Sequence, residues 1–220
     1  MGFDFKASVV WEVLPQLLIG AVLTVKIALV GLILGFFVGA LAGLMKTSKL
    51  FFLRVPASIY IETVRGTPIM VQVMFIYFAL PMALGMRIPA YFAAVAAITI
   101  NAGAYIAEVV RGSIESIDRG QTEAARSIGL SHMQSLLYVI WPQAFRRMIP
   151  PLGNQFIISI KDTSLFVVIG VGELTRTGQE IIAVNFRAFE VWIAVALVYL
   201  AITLSLSKLL NITENRLGVK

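Results

Sequence analysis

The chain has 220 residues, 59% of them hydrophobic and only 14% charged, with a mean hydropathy of +0.88. That lies well beyond the roughly half-apolar usage of soluble domains. With apolar runs near or above the ~18 residues that cross a bilayer, it defines a polytopic membrane protein. The absence of cysteine excludes a disulfide framework and a thiolate metal site, and the net charge of +6 reads as a set of topology signals in loops rather than a nucleic-acid surface.

The opening residues, Met1 to Lys6, lack a basic stretch before a short apolar one, so no cleaved signal peptide is expected. Five spans follow: about Leu14–Met45, Pro68–Leu84, Pro89–Val110, Pro151–Val171 and Phe189–Leu209. The first, at ~1.5 Å per residue, is longer than a ~30 Å hydrocarbon core, so it should tilt or protrude, with Lys26 snorkelling to an interface. Gly31, Gly35, Gly39 and Gly43 recur at every fourth position of this span. Such a small-residue stripe lets helix backbones approach closely, either within one subunit or between two.

Basic residues orient the spans. Lys46, Lys49, Arg54, Arg111, Arg119, Arg126, Arg146, Arg147, Lys208, Arg216 and Lys220 fall in one set of loops, against Lys6, Arg87, Arg176 and Arg187 in the other. The richer set is placed in the cytoplasm, with the amino terminus outside and the carboxy terminus inside.

Residues 111–150 form a polar, small-residue insert on the cytoplasmic side. Asp118 with Gln121, and Ser131 with Gln134, have capping-box spacing, and Gly129 suits a left-handed helix end. Two short helices, about 119–128 and 132–141, should meet at a turn, with Pro142 ending the second. Ala124 and Ala125 offer a smooth docking surface beside the charge of Glu123. A purely solvated connector of forty residues would be unusual.

The pattern Glu123-Ala124-Ala125, three residues, Gly129, nine residues, then Val139, Trp141 and Pro142 resembles the cytoplasmic signature of permease subunits of type I ABC importers. Valine and tryptophan replace the usual isoleucine and leucine. Arg65-Gly66-Thr67-Pro68, Gln72 to Tyr77, Ile100 to Tyr105, and Pro150 through Gly153-Asn154-Gln155 to Leu165 resemble the polar amino acid branch, and within it the bacterial glutamine permeases. The likeness covers nearly the whole chain. It implies an all-α, five-span permease domain with a coupling-helix insert, in a homodimer or paralogous heterodimer in the bacterial plasma membrane. It further implies two ABC ATPase subunits inside and an amino acid-binding protein outside. On this reading Glu123, Ala124, Ala125, Gly129 and Pro142 couple to the ATPase.

The chain has no G-x-x-x-x-G-K-[ST] phosphate loop and no H-E-x-x-H pair, and its single histidine, His132, opens a polar helix. The chain therefore cannot cradle ATP by that route; the resemblance implies that ATP and magnesium are bound by the partner ATPase, with no cofactor or catalytic residue expected here. A passive channel, or an importer of another small polar solute, is the competing reading.

Asp162, eleven residues beyond Pro151, and Asn101, eleven beyond Ala90, both fall about 16 Å into their spans. A polar side chain at that depth marks a functional site by default. Asp162 could meet an α-ammonium group, with Thr163, Ser164 and Tyr105 beside the path. The structural alternatives are an ion pair of Asp162 with Lys26, Arg111 or Lys161, and a helix–helix hydrogen bond for Asn101. Glu62, Arg65 and Thr67, where the chain breaks before the second span, are either a gate or a capped turn. The segment from Glu173 to Glu190 is the expected contact for the binding protein.

Overall fold

The computed structural model describes residues 4–217, so Met1–Phe3 and Lys220, which entered the topology reading, lie outside the described residues. All regular structure among them is helical: α1 (Ala7–Thr47), α2 (Phe51–Arg65), α3 (Ile69–Leu84), α4 (Ala90–Glu115), α5 (Arg119–Ser127), α6 (His132–Ile169), α7 (Leu174–Asn185) and α8 (Ala188–Leu217). Four of these, α1, α4, α6 and α8, are long and apolar enough to cross a bilayer. A fifth crossing is made only if the bent pair α2 and α3, which meet at 104° across Gly66-Thr67-Pro68, is taken as one span. Four of the five expected spans thus stand as single helices, and the second, read as Pro68–Leu84, is one half of a bent pair whose other half, α2, the sequence reading left as loop.

The packing centres on α1 against α4. A Cβ built on Gly31 would lie 2.6 Å from Ile98, on Gly35 3.0 Å from the Thr99 carbonyl, on Gly39 2.5 Å from the Gly103 carbonyl, and on Gly43 2.7 Å from the Ala107 carbonyl. The register advances in step along both helices, so they run parallel with their backbones in contact. The stripe is a seam within the subunit. Val73, Ala93, Ala97, Ile106, Met148 and Phe166 close the main core around this pair. Lys26 stands exposed on α1 and forms no ion pair among the described residues.

Proline placement explains the departures from the expected spans. Pro142 does not end a helix. The turn Leu136–Ile140 widens to a π conformation, with the Trp141 N–H donating to the Leu136 carbonyl, and the helix runs on to Ile169. Pro81 follows an equivalent wide turn, Phe75–Ala79, closed by the Leu80 N–H on Phe75. Proline has no N–H, and its ring crowds the carbonyl four residues back; a wide turn takes the ladder past that conflict. Pro150 and Pro151 are likewise internal to α6, so the fourth span does not begin at Pro151.

The polar insert consequently shrinks to the residues between Glu115 and His132. Helix α5 starts at Asp118, whose carboxylate accepts from the Gly120 N–H at 2.7 Å, while the Gln121 side chain accepts from Gln143 instead of closing a capping box. The box at Ser131 and Gln134 is complete. Between the two, Gly129 at φ +90° lets the Leu130 N–H reach back to the Ala125 carbonyl, a left-handed ending that side chains tolerate poorly.

The glycine stripe makes a sharp prediction. Gly39→Ala should lower the thermal midpoint of the detergent-purified chain by an amount equivalent to about 1–3 kcal/mol of overpacking. Gly112→Ala on α4, where a Cβ meets nothing within 4 Å, should be neutral or stabilising by up to about 1 kcal/mol.

Candidate functional site

The two residues singled out for depth come together, with Tyr105 beside them. Asn101 and Tyr105 from α4 and Asp162 from α6 line one cavity of about 500 Å³, with Arg65, Thr67 and Gln155 on its other walls. Sequence spacing accounts for the α6 wall: Gln155, Ile158 and Asp162 are three to four residues apart and share a helix face. The wall from residues 65–69 comes from the break between α2 and α3, where the chain turns too sharply to continue as helix before Pro68.

Asn101 is held as well as exposed to the cavity. Its Nδ2 donates to the Gln72 Oε1 at 3.1 Å, and the Gln72 Nε2 donates to the carbonyls of Val64 at 2.8 Å and Thr67 at 3.0 Å. The amide of Gln72 therefore pins the α2–α3 break to α4. Gln72 and Gln155 were not given site roles in the sequence reading. The usable signal was an amide inside an apolar run, the same signal that exposed Asn101.

Asp162 forms no ion pair among the described residues, although its neighbour Lys161 lies near enough to act on it electrostatically. Arg111 donates to Glu108 at 2.8 Å and pairs with Glu115; Lys161 and Lys26 are exposed. Thr163 and Ser164 do not line the cavity. Thr163 is buried with its hydroxyl donating to the Ile160 carbonyl at 2.7 Å, and the Ser164 hydroxyl donates to the Lys161 carbonyl at 2.6 Å.

Arg65 is not paired with Glu62, which points to solvent. Its guanidinium lies 3.5 Å from Glu108 and 5.4 Å from the centre of the Tyr105 ring. Glu108 also accepts from Lys46 at 2.8 Å, so one carboxylate gathers cations from α1, α2 and α4. The cavity thus carries a cation held from behind on one wall and an unpaired carboxylate on another.

At the opposite end, Glu173 is fully buried and caps α7, accepting from the N–H groups of Thr175 at 2.9 Å and Arg176 at 2.7 Å and from the Tyr199 hydroxyl at 3.0 Å. The Leu174 N–H donates to Thr24 on α1. The stretch from Glu173 to Glu190 is therefore a docked helix rather than a loop.

In the insert, Glu123 and Ala124 are exposed, but Ala125 is buried at 3% exposure, so the expected surface of two alanines presents Ala124 alone. Gly129 and Pro142 are exposed beyond it.

Four membrane-crossing helices with a bent pair, a charged cavity between them and a short helix projecting from a glycine turn define the transmembrane part of a transporter. The family model described as binding-protein-dependent transport system inner membrane component matches residues 35–219, and the chain belongs to that family. It is a permease subunit, and ATP hydrolysis resides on a separate chain. The chain is 55% identical over all 220 residues, and over the full length of both proteins, to the glutamine transport system permease protein of Escherichia coli K12. It is 40% identical over 207 residues, 93% of this chain and 94% of the relative, to a probable glutamine ABC transporter permease of Bacillus subtilis. Among solved structures, an amino acid ABC transporter crystallised with histidines matches at TM-score 0.91 and 41% identity, over 98% of this chain and 100% of that one. An inward-facing MetNI methionine ABC transporter, at TM-score 0.70 and 19% identity over 94% of each chain, shares the fold.

Burial, opposed by the Thr175 and Arg176 N–H groups and the Tyr199 hydroxyl, raises the Glu173 carboxyl above its ordinary 4.5. A carboxyl raised in the folded state contributes stability below its unfolded value and loses it as pH climbs through the folded one. The thermal midpoint of the purified chain should therefore fall as pH rises from about 4.5, and Glu173→Gln should flatten that slope.

Proposed function

We propose that the chain imports a polar amino acid, glutamine or a near relative, across the bacterial plasma membrane by alternating access. It acts as one of two membrane subunits, identical or paralogous, served by two ATPase chains that bind ATP and magnesium and by an external binding protein. The observation that carries the cargo reading is the cavity, whose walls present Arg65, the unpaired Asp162, and the amides of Asn101 and Gln155. A zwitterion needs one cation and one carboxylate to replace water at its two ends, and a side-chain amide needs partners that both donate and accept. The names of the relatives agree with that chemistry.

In this reading Asp162 takes the α-ammonium group, Arg65 and Tyr105 close the opposite wall, and Asn101 orients the polar side chain. Thr163 and Ser164 support the α6 backbone beside the path. Thr67 and Arg65 form the inner gate at the α2–α3 break, and Glu62 flanks it on the outer surface of α2. Residues 111–150 bring the coupling element to the ATPase: Glu123 and Ala124 meet it, the Gly129 turn and buried Ala125 hold α5 in its projecting pose, and Pro142 with its wide turn joins that pose to α6. The excess of basic residues in the loops around α5 places this end in the cytoplasm, with the amino terminus outside. The segment Glu173–Glu190 then faces the binding protein.

Asp162→Asn preserves shape and removes the charge. Because the carboxylate has no cation partner, the variant should assemble at wild-type yield while uptake falls ten- to more than a hundredfold, the equivalent of about 1.5–3 kcal/mol for a charged hydrogen bond. Asn101→Ala should cost less, about 0.5–1.5 kcal/mol. Normal uptake by Asp162→Asn in proteoliposomes removes that residue from the path. For coupling, Gly129→Val should insert normally but lose substrate-stimulated ATP hydrolysis, since valine strains at positive φ; stimulation at the wild-type level refutes the role.

A further inference from the structure

A second recess lies away from the cargo cavity, where α1 hands over to α2. It encloses about 690 Å³ and presents Lys46, Lys49, Arg54, Arg119 and His132. Its one carboxylate, Glu115, is paired with Arg111, and Lys46 is taken up by Glu108. Lys49, Arg54 and Arg119 are exposed and form no ion pair among the described residues, so three cations from three segments face one hollow without a counter-charge.

That hollow adjoins an apolar one of about 760 Å³. The two share Thr47, Ser48, Lys49, His132 and Leu136, and the apolar part is walled by Leu44, Leu50, Leu53, Met133, Leu137 and Trp141. Beside the junction, Phe51 and Phe52 stand 69% and 67% exposed at the start of α2. Helix α2 lies at 104° to the span that follows it. Exposed aromatics next to basic residues on a helix lying across the span direction mark the level of lipid headgroups.

We propose that this joint recess holds an anionic phospholipid. The phosphate sits among Lys49, Arg54 and Arg119, and an acyl chain runs along Leu50, Leu53, Leu137 and Trp141. Basic pockets between spanning helices on the cytoplasmic side suit anionic headgroups, each cation favouring them by about fivefold. A soluble phosphate would satisfy the cations but leave the apolar half wet. A zwitterionic lipid would fill the apolar half but leave the cations without counter-charge. The occupant therefore needs both parts. The lipid would brace α1, α2 and the base of α6 against the short helix α5, whose first residue is Arg119. The inference rests on the cytoplasmic placement of this end given in the proposed function, and it is independent of which cargo is carried.

The test is native mass spectrometry of the assembled transporter, offered phosphatidylglycerol and phosphatidylcholine of matched acyl chains in equal amounts. Phosphatidylglycerol should be retained preferentially. Lys49→Gln with Arg54→Gln should cut that preference about ten- to thirtyfold, and Lys49→Arg with Arg54→Lys should keep it. Leu53→Gln with Leu137→Gln should weaken retention of both lipids. Free glycerol 3-phosphate should not displace the lipid. Equal retention of the two lipids by the wild-type assembly, as a protein-filled recess would give, overturns the proposal. So does a preference untouched by the glutamine pair. Displacement by glycerol 3-phosphate would mean a small-anion site and also overturn it.

Discussion

The structure depends on the backbone contact between α1 and α4. Apolar side chains gain little by leaving lipid for other apolar side chains, so helices inside a bilayer are held by close packing rather than by hydrophobic transfer. Gly31, Gly35, Gly39 and Gly43 permit that approach, and the facing carbonyls of Thr99, Gly103 and Ala107 take up the space that any larger residue would need. With α1 and α4 locked parallel, Lys46 is delivered to Glu108 and Asn101 and Tyr105 are aimed at the α2–α3 break. The cavity is thus built on a close-packed pair, with another wall supplied by the break between α2 and α3.

Charge inside the bundle is arranged so that one site is satisfied and its neighbour is not. Glu108 collects Lys46, Arg65 and Arg111, while Asp162 is left without a cation. Since Arg65 belongs to both the Glu108 cluster and the cavity wall, a ligand carboxylate would compete with Glu108 for it. On the proposed function such competition would supply the differential interaction that a two-state transporter requires, because a ligand shifts a conformational equilibrium only by what it binds differently in the two states. The hydrogen bonds of Gln72 to Val64, Thr67 and Asn101 tie the same break to α4, so a movement of Arg65 would be felt at Asn101.

Much of this was legible beforehand because the signals are local. Span composition, the Ser131–Gln134 box, the left-handed Gly129 and the four-residue glycine period each follow from neighbours in sequence, and each stands in the structure. The errors share a cause. Pro142 was read as ending a helix because a missing N–H breaks an α ladder, and Pro151 as the start of a span, yet a π turn before the first and a continuous helix around the second carry the backbone through. Thr163 and Ser164 were grouped with Asp162 by adjacency, but successive helical residues point about 100° apart, and both hydroxyls turn back to backbone carbonyls.

By itself the sequence determined the class, four of the membrane-crossing helices, the projecting turn and the presence of polar groups at Asn101 and Asp162 within apolar helices, since composition and short-range spacing govern all of these. Only the tertiary structure decided who meets whom: that Asp162 stays unpaired, that Arg65 answers to Glu108 rather than Glu62, that Gln72 holds Asn101, and that Lys49, Arg54 and Arg119 share a hollow. Residues 65, 72, 101, 155 and 162 come from four separate segments of helix, and their meeting depends on crossing angles and on a 104° bend that no local pattern encodes.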